Sequence, residues 1–160
     1  MRTAGSAVLA FLVCLAGLGF SVELTRIHVR VFTEPDFVPI CAVSEGVNCA
    51  TVALSPWSVF AGLPVSAWGI GGYLLLSALA VWAALPRRPH PTWPWGLLSL
   101  AAGFSLCVSI ALATLSALRI DSLCLYCMAT YGLNGLLALL CALTAWRARA
   151  GPARLVALDL

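Results

Sequence analysis

The order of apolar and polar positions divides the chain into four long hydrophobic runs, at about 4–31, 59–85, 95–118 and 122–146. A helix needs about 20 mostly apolar residues to cross a hydrocarbon core about 30 Å thick, and each run meets that length. Exposed backbone finds no water inside a bilayer, so each run is predicted as a helix whose polar groups bond to one another. The expected fold class is an all-α membrane protein, a four-transmembrane-helix bundle. Residues 1–150 read as one membrane-embedded domain and 151–160 as a frayed C-terminal tail.

The connections differ in kind. The stretch at about 32–58 holds Glu34-Pro35-Asp36, Pro39 and the turn signal Ser44-Glu45-Gly46, and it is too long for a simple connector. It keeps apolar residues and two cysteines, so a folded outer cap is expected. The tract from Pro86 to Trp95 carries four prolines, two arginines and two tryptophans, the signature of a turn anchored at the membrane surface. Within the runs, Gly69, Gly71 and Gly72, then Ala101, Ala102 and Gly103, then Gly132 and Gly135 predict close helix approach.

Composition agrees with this picture. Hydrophobic residues make up 62% of the chain and charged residues 9%, against about 25% charged in ordinary soluble domains. A net charge of +3 spread over the loops gives no reason to expect nucleic acid. Basic residues collect in cytoplasmic loops. Arg2, Arg87, Arg88, Arg147, Arg149 and Arg154 mark one side, while Arg26, Arg30 and Arg119 lie on the other. Both termini are therefore expected in the cytoplasm and the cap outside, with the first run as a cleaved signal peptide the alternative.

Seven cysteines then carry the candidate chemistry. Cys14, Cys107 and Cys141 lie within runs and read as small apolar fillers. Cys141 is about 21 Å beyond Cys127 along a helix, too far to share its site. Cys41, Cys49, Cys124 and Cys127 all fall on the outer side, where disulfides persist. Cys124-Leu125-Tyr126-Cys127 places two thiols within one turn at a helix N-terminus, where the dipole favours the thiolate. A structural zinc site and a pair of static disulfides are the competing readings. Tyr131 lies one turn below Cys127 on the same face, and Asn134 follows three residues later; polar groups at such depth need partners.

Four segments in this order resemble the vitamin K epoxide reductase family, over roughly residues 10–146, and more specifically its bacterial disulfide-forming members. They are Cys41-x7-Cys49; Ser55-Pro56-Trp57; Gly62-Leu63-Pro64-Val65 leading to Trp68-Gly69 and Tyr73; and Cys124 through Tyr131. The resemblance implies a bundle built around a quinone and an oxidoreductase acting on sulfur groups. It implies that Cys41 and Cys49 are a loop shuttle pair receiving electrons from a separate thioredoxin-like (DsbA-like) protein. Cys49 is then expected to form a transient disulfide with Cys124, leaving Cys127 nearest the quinone. Ser55 matches the family serine that helps hold cap and site. Tyr131 matches the tyrosine that hydrogen-bonds the ring substrate, with Asn134 and Trp68 expected beside it.

One position departs from the pattern. Where animal enzymes carry an asparagine contacting vitamin K, this chain has Val65 followed by Ser66, which favours ubiquinone or menaquinone as acceptor over vitamin K epoxide. The expected setting is a bacterial inner membrane with the thiols on the periplasmic side and no metal. Quinone or epoxide reduction for its own sake, or a structural membrane protein with a stapled cap, are the alternatives.

Overall fold

The computed structural model describes residues 2–44, 46–85 and 93–156, with the side chains of 5–44, 46–85 and 93–147. The elements are α1 (Arg2–Thr33), α2 (Cys49–Leu54), a 3-10 turn (Pro56–Ser58), β1 (Val59–Phe60), β2 (Leu63–Pro64), α3 (Val65–Ala84), α4 (Trp93–Leu115), a π turn (Ser116–Ile120) and α5 (Leu125–Val156). Among the described residues four helices are long and apolar enough to cross a membrane, over Gly5–Thr33, Val65–Ala84, Trp93–Ile120 and Leu125–Arg147. They form a bundle in which α1 and α4 each pack on both α3 and α5.

Leu12, Leu75, Leu100, Phe104 and Leu139 project outward from the bundle. On a soluble protein this much exposed apolar surface would drive aggregation; on a membrane bundle it is the lipid-facing exterior. The interior is built from small residues and a few large ones, with Ala10, Cys14, Tyr73, Ala80, Leu98 and Leu137 in one buried cluster. Lipid tails are as apolar as leucine, so helix association depends on close packing and on hydrogen bonds between helices. At the α1–α3 seam a methyl group on Gly17 would fall onto the Tyr73 ring, and one on Gly69 would meet Ser21 Oγ at 2.9 Å. Gly71, Gly72, Gly103, Gly132 and Gly135 have open space beside them, so these five do not mediate the close approach their composition suggested. A turn of about 100° per residue explains Gly71, which lies about 160° around α3 from Gly69, while Gly69 shares a face with Tyr73 and Leu76.

Two ends differ from expectation. The second spanning helix starts at Val65 and not near 59, because Val59–Pro64 forms a short antiparallel hairpin with Phe60 opposite Leu63. Its two-residue turn, Ala61 (φ 50°) and Gly62 (φ 79°), has the paired positive φ values of a type I′ turn. Helix α5, expected to end near 146, runs to Val156, and residues 157–160 of the expected tail lie outside the described residues. The turn expected around Arg87 and Arg88 lies at 86–92, outside the described residues, as do Glu45 and the side chains of Arg2, Arg149 and Arg154.

Candidate redox site

The site is assembled where α4 turns into α5. The π turn widens the end of α4, and Asp121 follows with a left-handed φ of 52°. Ser116 Oγ donates to the carbonyl of Ser122 at 2.6 Å, closing the reversal so that α5 begins at Leu125. Cys124 thereby becomes the N-cap of α5. Its carbonyl accepts the Met128 N–H at 2.9 Å, and its Sγ accepts the Cys127 N–H at 3.3 Å. A thiol does here what serine or aspartate usually does at this position.

The cap brings the second pair. Asn48 Oδ1 accepts the N–H groups of Ala50 (2.9 Å) and Thr51 (3.4 Å), which starts α2 at Cys49. The Asn48 N–H donates to Leu123 O at 2.9 Å, and the Leu123 N–H donates to Gly46 O at 2.9 Å. These two bonds make a parallel bridge between Val47 and Leu123 that lays the cap against the start of α5. Cys49 Sγ consequently stands 3.3 Å from Cys124 Sγ. Cys49 is disulfide-bonded to Cys41, with their Cα atoms 5.7 Å apart, while Cys124 and Cys127 are free thiols.

Cys41, Cys49 and Cys124 are buried beside Ile27, with Leu24, Phe37, Val52, Tyr126 and Cys127 packed around them. In such a dry setting nearby dipoles act with little screening. A hydrogen bond from the Cys127 side chain holds the Cys124 thiol below the ordinary 9.0, aided by the backbone N–H groups of Cys127 and Tyr126 and opposed by desolvation. Below this layer Tyr131 follows Cys127 by four residues on the same face of α5. Thr130 Oγ1 donates to Cys127 O at 2.7 Å.

Beside Tyr126 a groove of about 280 Å³ follows the meeting of α1 and α5, lined by Ala16, Gly19, Phe20 and Glu23, with the Phe20 and Tyr126 ring centroids 5.8 Å apart. A larger hollow of about 740 Å³ lies over the start of the cap and contains no cysteine. There the Arg30 guanidinium bonds Glu34 at 2.8 Å and stacks 3.9 Å above the Phe37 ring, tying the cap to the end of α1. That contact holds the exposed Glu34 carboxyl below its ordinary value, chiefly through the hydrogen bond from Arg30.

The four cysteines singled out in the sequence thus come together, and the other expected site residues divide. Tyr131 is under Cys127 as the helical spacing requires. Asn134 is buried and committed to other helices: its Oδ1 accepts from Tyr73 at 2.9 Å and its Nδ2 donates to Ser109 at 2.8 Å. Ser55 ends α2, its hydroxyl donating to Val52 O at 2.8 Å. Trp68 is half-exposed at the start of α3, with Nε1 donating to Phe60 O at 3.1 Å, so its indole clamps the hairpin. Cys14 and Cys141 are core residues, and Cys107 faces outward. The sequence reading overlooked Asn48 and Thr130. An asparagine directly before the Cys49–Leu54 run is a helix-start signal that could have been read; the Thr130 contact has no signal beyond its spacing.

A family model described as the Vitamin K epoxide reductase family matches residues 8–142 of the chain, a stretch that takes in all four cysteines, Ser55, Trp68, Tyr131 and Asn134.

Proposed function

Since this chain belongs to the vitamin K epoxide reductase family of membrane oxidoreductases, we propose that it oxidises a separate thioredoxin-like protein and passes the electrons to a membrane quinone. The observation that carries this is the 3.3 Å contact between Cys124 Sγ and Cys49 Sγ, which joins a loop disulfide to a reduced C-x-x-C.

Thiol–disulfide exchange is attack by a thiolate on one sulfur of a disulfide, with the other sulfur leaving as thiolate. A partner thiolate attacks Cys41 and releases Cys49; the partner's second thiol then frees Cys41 and leaves with its own disulfide. The Cys49 thiolate attacks Cys124 of an oxidised Cys124–Cys127 pair and releases Cys127. Cys41 next attacks Cys49, restoring the loop disulfide and freeing Cys124. The state with Cys41–Cys49 closed and Cys124 and Cys127 reduced is the product of these steps. A bound quinone supplies the acceptor for two electrons and two protons as Cys124–Cys127 closes again.

Cys127 and Tyr131 are the residues assigned to face the quinone, because they lie one turn apart on the same face of α5. Asn134 and Trp68 are assigned supporting roles, on α5 and on the hairpin respectively, and Ser55 a role in holding the cap. Val65 in place of a substrate-binding asparagine supports ubiquinone or menaquinone over an epoxide. On the cap, Val38, Ile40 and Val43 are exposed around the buried Cys41, an apolar rim suited to a thioredoxin-like partner once the segment opens.

The arrangement is assigned to a bacterial inner membrane, as a single domain over residues 1–150. The end of α1, the cap and the start of α5 are assigned to the periplasmic side and both termini to the cytoplasm, a reading that the arginine distribution supports. The test is thiol trapping of the purified protein mixed with a reduced thioredoxin-like protein, with and without a soluble quinone. Partner oxidation that depends on quinone and stops in Cys127→Ala supports the relay. Cysteines that never change state would show a permanently stapled cap instead.

A further inference from the structure

One turn beneath Tyr131 three spanning helices meet at a single polar node, with the fourth packed against it. The Tyr73 hydroxyl on α3 donates to Asn134 Oδ1 on α5 at 2.9 Å, with the Thr130 carbonyl 3.4 Å away. Asn134 Nδ2 donates to Ser109 Oγ on α4 at 2.8 Å, and Ser109 Oγ donates to the Ser105 carbonyl at 2.9 Å. The Tyr73 ring lies against Gly17 of α1, where no side chain would fit. Tyr73 is 5% exposed, Ser109 4% and Asn134 9%, so the node is closed to lipid and water.

Hydrogen bonds between membrane helices add only modestly to stability, because alternative partners are found when they break. What a directional node does supply is register. Sliding α5 by one residue moves it about 1.5 Å and turns it about 100°, which breaks both contacts of Asn134 at once. Cys127 stands two turns above Asn134, about 10.5 Å along the same rigid helix, with Tyr131 between them. Thr130 ties the intervening turn together by donating to Cys127 O.

We propose that Tyr73, Asn134 and Ser109 are positioning residues that fix the height and rotation of α5, so that Cys127 and Tyr131 face one substrate. Cys124, bonded to the first turn of α5, is held in addition by the Val47–Leu123 bridge, so its exchange with Cys49 depends on the node less than the position of Cys127 does. The proposal rests on the quinone reading for what Cys127 faces, but not for where the node holds it.

The test uses the full chain in detergent with Tyr73→Phe, Ser109→Ala and Ser109→Thr. Two readouts apply: alkylation of Cys127 by a small maleimide at fixed pH in a Cys124→Ser background, and steady-state kinetics with a soluble quinone. Tyr73→Phe and Ser109→Ala are expected to slow Cys127 alkylation by about threefold or more and to raise the quinone KM about tenfold, with kcat changed by less than about threefold. Ser109→Thr, which keeps the hydroxyl, restores both. Exchange between the loop disulfide and Cys124 changes by a smaller factor than Cys127 alkylation does. Parent-like alkylation and KM in variants that fold would overturn the proposal, as would losses in every readout that simply track thermal stability. Should Tyr73→Phe not fold, Ser109→Ala and Ser109→Thr decide alone. A parent protein that reduces no quinone would sink the functional reading, while the alkylation arm still judges the node.

Discussion

Cys124 Sγ lies 3.3 Å from Cys49 Sγ although the two residues are 75 positions apart, and the Val47–Leu123 bridge is what places them there. Neither sulfur needs to travel far for exchange, so the pair should trap readily once its competitors are removed. In Cys41→Ser/Cys127→Ser the two remaining outer cysteines are expected to join as Cys49–Cys124 on mild oxidation. Peptide mapping under non-reducing conditions checks this; recovery of both as free thiols would count against direct transfer between them.

The Cys124 thiol is held below the ordinary 9.0, first by the Cys127 side chain. A depressed value keeps the thiolate populated to lower pH, so reactivity should rise with pH and level off earlier than for a free thiol. Cys127→Ala removes the main cause and should move the midpoint upward. Alkylation rate at Cys124 against pH, in the two proteins, is the measurement; coincident profiles would show that Cys127 contributes nothing.

Asn48 satisfies two N–H groups at the start of α2. Asn48→Ala should cost about 1 kcal/mol, the usual loss for such a cap. Because the backbone bond from Asn48 to Leu123 survives the change, hydrogen exchange should quicken at Ala50 and Thr51 and stay slow at residue 48.

Two glycine-to-alanine changes with the same chemistry should have opposite signs. Gly17→Ala drives a methyl onto the Tyr73 ring and should destabilise by about 1–3 kcal/mol. Gly71→Ala meets open space in a helix and should be neutral or stabilising by up to about 1 kcal/mol. Thermal unfolding in detergent tells them apart.

Ile40 is 94% exposed beside Cys41. Ile40→Glu should slow oxidation of a thioredoxin-like partner by about tenfold, the scale of losing one apolar anchor, while a small dithiol reduces the loop disulfide at the parent rate. Equal slowing with both reductants would place the effect in the cap and not in recognition.

The four spans were legible because uninterrupted apolar runs of that length have few other fates. Their ends were less so. Val59-Phe60 and Leu63-Pro64 are apolar enough to pass for the beginning of α3, and only Gly62 hints at the turn between them. The clustering of four cysteines followed from topology, since it needed only that both connections lie on one side. The partners of Asn134 were hidden, because they depend on the rotation of three helices about their own axes. The idle glycines failed for the same reason: composition names residues that permit close approach, and only the packed faces decide which are used.

The sulfur that caps α5 is also the sulfur proposed to change oxidation state. A thiolate is a stronger acceptor for the Cys127 N–H than a sulfur held in a disulfide, and it sits better at the positive end of the helix. Under the proposed relay, each oxidation of Cys124 would loosen the first turn of α5 and each reduction would tighten it, coupling the secondary structure at this point to the redox state of the site.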